Sequence, residues 1–296
     1  MKYLIGILIV LVGAGFVFRN DLNQYLIAGK TLEQKEEKGK KGKKKEPKSE
    51  KDAEVAIVQK WELPEVLREV SGIAYIDGDR FACIQDEEGT IFIYNRATNE
   101  IEKEIPFAGP GDYEGITLAD NTAYVVRADG RLYEVPMAEG KKGVKEWETS
   151  LTVEQNVEGL FYDKKEDRLL LAIKDDEPHT KDYKGVYAFD VKSKKFVKEP
   201  VFKIDVNNNL LNSGGKKGGS IKPSEIAIHP VTGDIYVTDG PAARLLVMDA
   251  EGNAKKLYHL GSDFPQAEGM TFSPSGELFI SNEGKKRGNI IQADIK

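Results

Sequence analysis

One short phrase recurs five times along the chain: EVSGIAY (Glu69–Tyr75), DYEGITL (Asp112–Leu118), NVEGLFY (Asn156–Tyr162), KPSEIAI (Lys222–Ile228) and QAEGMTF (Gln266–Phe272). Each copy begins with polar residues, continues with a glutamate or serine that glycine follows in four of the copies, and ends in alternating apolar residues. The glutamate or serine recurs at intervals of 43, 44, 66 and 44 residues. A strand-rich repeat with a period in the low forties is typical of a β-propeller blade.

Short alternating strands, separated by Gly, Asp and Asn turns, follow each phrase from about residue 53. Each of the first four repeats accommodates four strands, whereas the last accommodates three. The strand AIVQKWEL (Ala56–Leu63) can supply the missing one, and this closure leaves no open sheet edge. We therefore predict an all-β fold, a five-bladed β-propeller over residues 53–296 with its ring closed by an N-terminal strand. A sixth blade would require strands within residues 207–222.

Two segments precede the predicted propeller. Residues 1–19 contain the uncharged run YLIGILIVLVGAGFVF (Tyr3–Phe18), which is either a signal peptide cleaved near Gly13–Gly15 or an uncleaved transmembrane signal anchor. The anchor, a hydrophobic helix, is favoured because apolar residues continue beyond the small ones. Residues 20–52 form a basic low-complexity segment that has ten lysines and, from residue 30, almost no large apolar residue. We predict that this segment is a disordered linker.

The charge of the chain is divided unevenly. The whole chain has a formal net charge of −6 and residues 1–52 contribute +5, so residues 53–296 carry −11. An acidic globular part is unsuited to nucleic acid, for which basic surface supplies most of the affinity, and is better suited to cations. The single cysteine, Cys83, lies in the apolar run FACI. A disulfide within the chain and a thiolate metal cluster are therefore excluded.

The glutamate or serine of the phrase predicts a functional site. Equivalent positions of propeller blades converge on the central channel, so these side chains should form a ring at one mouth. The ring is expected to contain Ser71, Glu114, Glu158, Ser224 and Glu268. The ends of the second strands, including Asp86 and Asp239, should form a rim around it. Three carboxylates in one narrow space repel one another unless a positive charge relieves them.

Two explanations of the ring stay open. Ca²⁺ takes six to eight oxygen ligands with tolerant geometry, and the lack of a suitable Cys or His cluster argues against zinc or copper. On this explanation the metal ligands are Glu114, Glu158, Glu268, Ser71, Ser224, Asp86 and Asp239. On the other, the glutamates cap hydrogen bonds between blades, or pair with Arg127 and Lys174, and hold the ring without metal. Glu225, which stands in the glycine slot of its phrase, stays ambiguous.

The five phrases, together with FACIQDEEGTIFIYN and DIYVTDG, resemble the SdiA-regulated domain family, which includes YjiK-like proteins. The resemblance extends over residues 56–296. It implies a five-bladed β-propeller, distantly related to NHL-repeat propellers, with a calcium site. It also implies a bacterial protein that is exported or membrane-anchored, but it implies no established activity.

These inferences give three functional hypotheses. The first is a membrane-anchored protein, exported to the periplasmic or extracellular face of a bacterial membrane, that binds Ca²⁺ at the channel mouth and presents a surface to an unknown small ligand or envelope protein. The second is a Ca²⁺-dependent hydrolase, a lactonase, esterase or phosphoesterase, with its site at the same mouth. A metal-free interaction scaffold is a third possibility. The sequence assigns no catalytic residue.

Overall fold

The computed structural model describes residues 55–138, 140–212 and 220–296. These residues form five four-stranded antiparallel sheets, which confirms the predicted all-β, five-bladed propeller. Residues 1–54 lie outside the described residues, and with them the hydrophobic helix, the linker and the start of the propeller that the sequence predicts. In the described ranges, no helix is long and apolar enough to cross a bilayer.

The strands are numbered along the chain, and each blade is given from the channel outward. Blade 1 contains β2 (Val70–Tyr75), β3 (Arg80–Gln85), β4 (Thr90–Asn95) and β5 (Glu100–Pro106). Blade 2 contains β6 (Tyr113–Ala119), β7 (Thr122–Arg127), β8 (Leu132–Pro136) and β9 (Lys145–Trp147). Blade 3 contains β10 (Val157–Asp163), β11 (Arg168–Ile173), β12 (Tyr183–Asp190) and β13 (Lys195–Asp205). Blade 4 contains β14 (Pro223–Ile228), β15 (Ile235–Asp239), β16 (Arg244–Met248) and β17 (Ala254–His259). Blade 5 contains β18 (Ala267–Phe272), β19 (Leu278–Asn282), β20 (Asn289–Ile295) and β1 (Val55–Glu62).

Helical structure in the described residues is limited to short connecting pieces. One helical turn, α1, covers Asn209–Asn212, and 3₁₀ turns cover Glu65–Leu67, Gly140–Gly143 and Gly240–Ala242. The connections that lengthen the third repeat are residues 174–182 and 206–222. In their described parts they hold only α1 and one bridge, between Glu177 and Thr180. Over the residues that the structure describes, they extend existing connections and add no strand of a sixth blade.

Strand β1 closes the ring in the predicted manner. It pairs antiparallel with β20, so that Trp61 lies opposite Ile290 and Val55 lies opposite Ile295. Just beyond β1, the Leu63 side chain is fully buried and the Leu63 N–H donates to Gly288 O at 2.9 Å. The fifth blade therefore combines its own three strands with one from the N-terminal side of the propeller.

The core consists of five apolar layers, one between each pair of neighbouring blades. The first strands of the blades, β2, β6, β10, β14 and β18, line the channel and pack against one another around the ring. Glycine follows the polar position in these strands because neighbouring backbones approach closely. A Cβ on Gly115 would lie 2.7 Å from Glu158 O, and one on Gly269 would lie 2.8 Å from Ile73 N. The phrase glycines therefore serve close packing at the channel.

Removal of β1 is expected to destabilise the ring. A chain that begins at residue 64 loses the fully buried Leu63, whose burial contributes about 1.5–3 kcal/mol, and leaves β20 as an open edge. We expect a clear fall in melting temperature, measured by circular dichroism. A chain that begins at residue 53 keeps β1 and is the matched control. Equal melting temperatures for the two truncations would contradict closure by β1.

Candidate functional site at the channel mouth

The polar position of each phrase coincides with a β-bulge. In blades 1 to 4 the register between the first and second strands shifts at this residue, which is Ser71, Glu114, Glu158 or Ser224, and in blade 5 it shifts over Glu268 and Gly269. A bulge leaves a residue unpaired and re-aims its side chain, and bulges are frequent beside active sites. The phrase shows no sign of this irregularity in its sequence. The bulges give the five side chains equivalent settings at one mouth of the channel.

The two serines of the ring join neighbouring blades. Ser71 Oγ donates to Tyr113 O at 2.7 Å, and Ser224 Oγ donates to Ala267 O at 2.6 Å. Ser224 Oγ also accepts from Gly240 N at 3.1 Å. Each carbonyl belongs to the residue just before the glutamate of the next blade. Both buried hydroxyls therefore hold the backbone from which a ring glutamate projects.

The three glutamates act on one another electrostatically. Burial, together with the negative charges of Glu158 and Asp112, raises the pKa of Glu114 to about 9. Burial also raises the pKa of Glu158 to about 7, although Lys174 opposes the shift, and the charge of Glu268 adds to it. Like charges have these effects only when they lie close together in a poorly solvated space. The structure therefore brings the glutamates of blades 2, 3 and 5 into one acidic cluster.

Lys174, the first residue after β11, carries a positive charge into this cluster. Its Nζ lies 2.7 Å from Glu158 Oε1, which also accepts from Asn156 Nδ2 at 2.8 Å. Burial lowers the pKa of Lys174, but the charges of Glu158, Glu268 and Glu114 outweigh burial and raise the pKa above its usual value. Lys174 is therefore a charged partner of the ring.

The explanation without metal predicts that the glutamates cap hydrogen bonds between blades or pair with Lys174 and Arg127. Lys174 pairs with Glu158, whereas Arg127 Nε donates to Asp129 Oδ1 of its own blade at 3.0 Å. Glu158 is 3 % exposed, and its second oxygen, Oε2, is buried and has no hydrogen-bond partner in the described structure. An unpaired buried acceptor costs about 1–3 kcal/mol, and more when it is charged. Lys174 alone leaves the ring incompletely satisfied.

Glu225, whose role the sequence leaves open, lies in the same acidic cluster as Glu158 and Glu268. It is 1 % exposed, and its Oε1 accepts from Leu160 N and Ile226 N, both at 2.8 Å. Burial raises its pKa well above the usual value, and the charges of Glu158 and Glu268 add to the shift. Its Oε2 is also buried without a hydrogen-bond partner in the described structure. Sequence reasoning missed this fourth carboxyl group because it occupies a slot that is glycine in the other phrases.

The two rim aspartates lie in different settings. Asp239 is buried and accepts from Arg244 Nε at 2.9 Å, and burial raises its pKa although Arg244 opposes the shift. The half-buried Asp86 has its pKa raised by burial and by the charge of Glu69. Neither aspartate is among the charges that act most on Glu114 and Glu158. Each aspartate nevertheless has one buried oxygen, Oδ1, without a hydrogen-bond partner in the described structure, as Glu158 has.

Glu283, next to the end of β19, connects the rim with the ring. Burial raises its pKa, and the charges of Glu268, Glu69 and Asp86 contribute to the shift. Its carboxylate also accepts a hydrogen bond from the side chain of Gln266, two residues before Glu268. The acidic character of the mouth thus extends from the ring outward across blades 5 and 1.

The donor set of the ring can be compared with the needs of Ca²⁺. In the described ranges, no three acidic, histidine or cysteine side chains already stand where they could hold a metal ion. The chemistry of the donors does fit, because Ca²⁺ prefers carboxylate and other oxygen ligands and the cluster contains the unpartnered Glu158 Oε2. Ca²⁺ therefore fits the ring by donor type, provided that the glutamate side chains close around it.

Glu114 is expected to make stability depend on pH. Its pKa of about 9 lies above the ordinary 4.5, so protonation of Glu114 favours the folded state. This contribution to the free energy of unfolding is complete below about pH 4.5 and is lost as pH rises through about 9. We expect the melting temperature of the full-length chain in EDTA to fall over this range, and to fall less for Glu114→Gln. The exposed Glu104 supplies the control, Glu104→Gln. Equal falls for both variants would exclude Glu114 as the cause.

The Ser224 bond between blades can be measured directly. Ser224→Ala leaves the buried Gly240 N–H and Ala267 carbonyl without this hydroxyl, which should cost about 1–3 kcal/mol of unfolding free energy. Ser71→Ala should cost less, because its hydroxyl makes one hydrogen bond within the described part of the chain, to Tyr113. Urea denaturation measures both. A Ser224→Ala variant as stable as the wild type would show that the bond is energetically neutral.

Comparisons with known proteins agree with this fold. Glutaminyl cyclase from Myxococcus xanthus has a TM-score of 0.56 at 14% identity, over 82% of this chain and 97% of that one. A structural genomics protein of unknown function from Bacteroides thetaiotaomicron has a TM-score of 0.50 at 9% identity, over 81% of this chain and 76% of that one. At these identities the likeness shows the fold alone.

The sequence comparisons are more specific. No curated protein matches the chain. The profile of the SdiA-regulated family, by contrast, matches residues 46–286, a range that includes all five phrases and most of the propeller. The chain therefore belongs to the SdiA-regulated family.

Proposed function

We propose that the protein binds Ca²⁺ at the acidic mouth of the propeller channel and acts there as a ligand- or protein-binding module of the cell envelope. The proposal rests on the burial and the incomplete pairing of the Glu158 carboxylate. This carboxylate is 3 % exposed, has one oxygen on Lys174 and has the other buried without a hydrogen-bond partner in the described structure. A buried carboxylate in this condition needs a further positive partner or a proton.

The charges of the cluster favour a divalent cation as that partner. Glu114, Glu158, Glu225 and Glu268 bring four carboxyl groups together, and Lys174 neutralises at most one of them. Glu114, Glu158 and Glu268 would hold the cation, and Ser71 and Ser224 would hold two of these glutamates in place through the neighbouring backbone. When bound, Ca²⁺ would supply the positive charge that the chain itself lacks there.

The same mouth would carry the binding surface. Glu69, Asp86 and Glu283 extend the acidic area outward from Glu268. A bound cation at the centre of this area would present a charged contact to a small ligand or to an envelope protein. Two rim residues predicted as ligands, Asp86 and Asp239, each have one buried oxygen without a hydrogen-bond partner in the described structure and would be further ligands at the edge of this contact.

Attachment to a membrane through residues 1–19 is part of this proposal. The apolar run at Tyr3–Phe18 supports it, and the linker would separate the run from the propeller. At the mouth, Ala267 pairs with Asn282, Asn282 with Asn289, and Asn289 with Glu62 at the end of β1. Val55, at the other end of β1, therefore lies on the face opposite the mouth.

Calorimetric titration of the full-length chain in detergent with CaCl₂ tests the proposal. We expect saturable binding, and a gain of about 2.7 kcal/mol in unfolding free energy when Ca²⁺ is present at about 100 times its dissociation constant. Glu158→Gln should abolish the binding, whereas Glu104→Gln should leave it unchanged. A wild-type chain that gives neither heat nor a rise in melting temperature would overturn the proposal.

A second candidate, a Ca²⁺-dependent hydrolase of lactones, esters or phosphoesters, is favoured by one observation. Burial and mutual repulsion raise the pKa values of two neighbouring carboxyl groups, Glu114 and Glu158, and such a pair can hold one proton at neutral pH, as acid–base pairs in enzymes do. One member of the pair would donate a proton and the other would accept one. Hydrolysis assays on a panel of lactone, aryl ester and phosphoester substrates with added Ca²⁺ distinguish the two functions. Inactivity on all of them would favour the binding module.

A further inference from the structure

Lys174 is held in the mouth by its own backbone as well as by its side chain. The Lys174 N–H donates to Asn156 O at 2.8 Å, and the Asp175 N–H donates to Gln155 O at 3.0 Å. These hydrogen bonds fix the backbone of Lys174 beside the phrase that contains Glu158. The side chain is 21% exposed, so part of it already reaches solvent.

The ammonium occupies a place that a metal ion would need. It lies 2.7 Å from Glu158 Oε1, and it interacts electrostatically with Glu268 and Glu114, the other two glutamates of the ring. Ca²⁺ binds carboxylates through the same oxygen lone pairs, in mono- or bidentate fashion. Two cations on the same few oxygens would repel each other in a poorly solvated space. Occupation by Lys174 and full coordination of a metal are therefore in competition.

We propose that Lys174 is a built-in counter-cation that fills the channel mouth in the metal-free protein and that Ca²⁺ binds by displacing its ammonium from Glu158. This inference rests on the proposed Ca²⁺ binding. It assigns to Lys174 the role of setting the affinity of the site: the lysine keeps the empty ring folded and limits metal binding to conditions in which Ca²⁺ outcompetes it.

The chemistry of lysine suits this role. Its ammonium is a compact point charge on a flexible four-carbon stem, so it can pair with a carboxylate and also move away. The neighbouring basic residues of the rim are held differently. Arg127 pairs with Asp129, and Arg244 pairs with Asp239, in each case through a planar guanidinium in its own blade. The lysine has the mobility that exchange with a metal requires.

Lys222 provides a matched control. It has the same charge, it is 49% exposed, and its Nζ lies 3.3 Å from Asp175, the residue next to Lys174. It is not among the charges that act most on Glu114 and Glu158. Lys222→Met therefore changes the net charge near the mouth by the same amount as Lys174→Met, without removing the ammonium that contacts Glu158.

The experiment compares Ca²⁺ titrations of four full-length chains in detergent: the wild type, Lys174→Met, Lys174→Arg and Lys222→Met. We expect Lys174→Met to bind Ca²⁺ at least tenfold more tightly than the wild type, which corresponds to about 1.4 kcal/mol. Its melting temperature in EDTA should be lower than that of the wild type, and Ca²⁺ should restore it. Lys174→Arg and Lys222→Met should stay within about threefold of the wild-type affinity.

The outcomes separate this inference from the proposed function. If the wild type binds Ca²⁺ and Lys174→Met binds with equal or lower affinity, the displacement is overturned while the calcium site stands. If none of the chains binds, the proposed function fails and the inference fails with it. Binding by Lys174→Met alone would overturn both the proposed function and the displacement, because the lysine would then keep Ca²⁺ out of the native site.

A second readout does not depend on the stability of the variant. The Nζ signal of Lys174 in ¹⁵N-labelled wild-type protein, identified by its loss in Lys174→Arg, should show slow hydrogen exchange in EDTA because the ammonium is bound to Glu158. Saturating Ca²⁺ should move this signal to the position of a solvent-exposed lysine. An Nζ signal that stays protected while Ca²⁺ binds would overturn the displacement.

Discussion

The narrow centre of the five-bladed ring is the constraint on which the rest of the structure depends. The first strands of the blades approach so closely that a Cβ on Gly115 would lie 2.7 Å from the backbone of the next blade. A side chain that a bulge directs into this space therefore meets the side chains of its neighbours. At an effective dielectric constant of about 20, two like charges about 4 Å apart repel by about 4 kcal/mol. The choice between serine and glutamate at each bulge thus affects stability and local charge together.

The serines of the ring position the backbone, and the glutamates carry its charge. Ser71 donates to the carbonyl just before Glu114, and Ser224 donates to the carbonyl just before Glu268. The blade before that of Glu158 has a glutamate, not a serine, at its bulge. Glu158 is instead bound by Lys174 and by the side-chain amide of Asn156. Each glutamate therefore has a separate structural support, and this keeps three repelling groups at one place in the fold.

The architecture could be predicted from the sequence because the repeat, the alternation of apolar residues and the turn residues all follow local rules. The five blades and the closing strand β1 are confirmed. The details of the site could not be predicted in the same way. The bulges lie between the first two strands of a blade, and Arg127 pairs with Asp129 of its own blade, but neither the alternation of apolar residues nor the repeat marks them. The position of Glu225 depends on a contact between blades, with Leu160, which no local pattern encodes. Whether the ring holds Ca²⁺ stays a prediction.

The distribution of glutamate in the ring argues for a partner from outside the chain. Blades 1 and 4 show that a serine satisfies this position fully, since its hydroxyl joins two blades and adds no charge. The glutamates of blades 2, 3 and 5 add mutual repulsion and a buried oxygen, Glu158 Oε2, that no hydrogen bond satisfies in the described structure. The fold does not need either feature. Protons or a cation must compensate for them, and a cation leaves the carboxylates available as ligands at neutral pH.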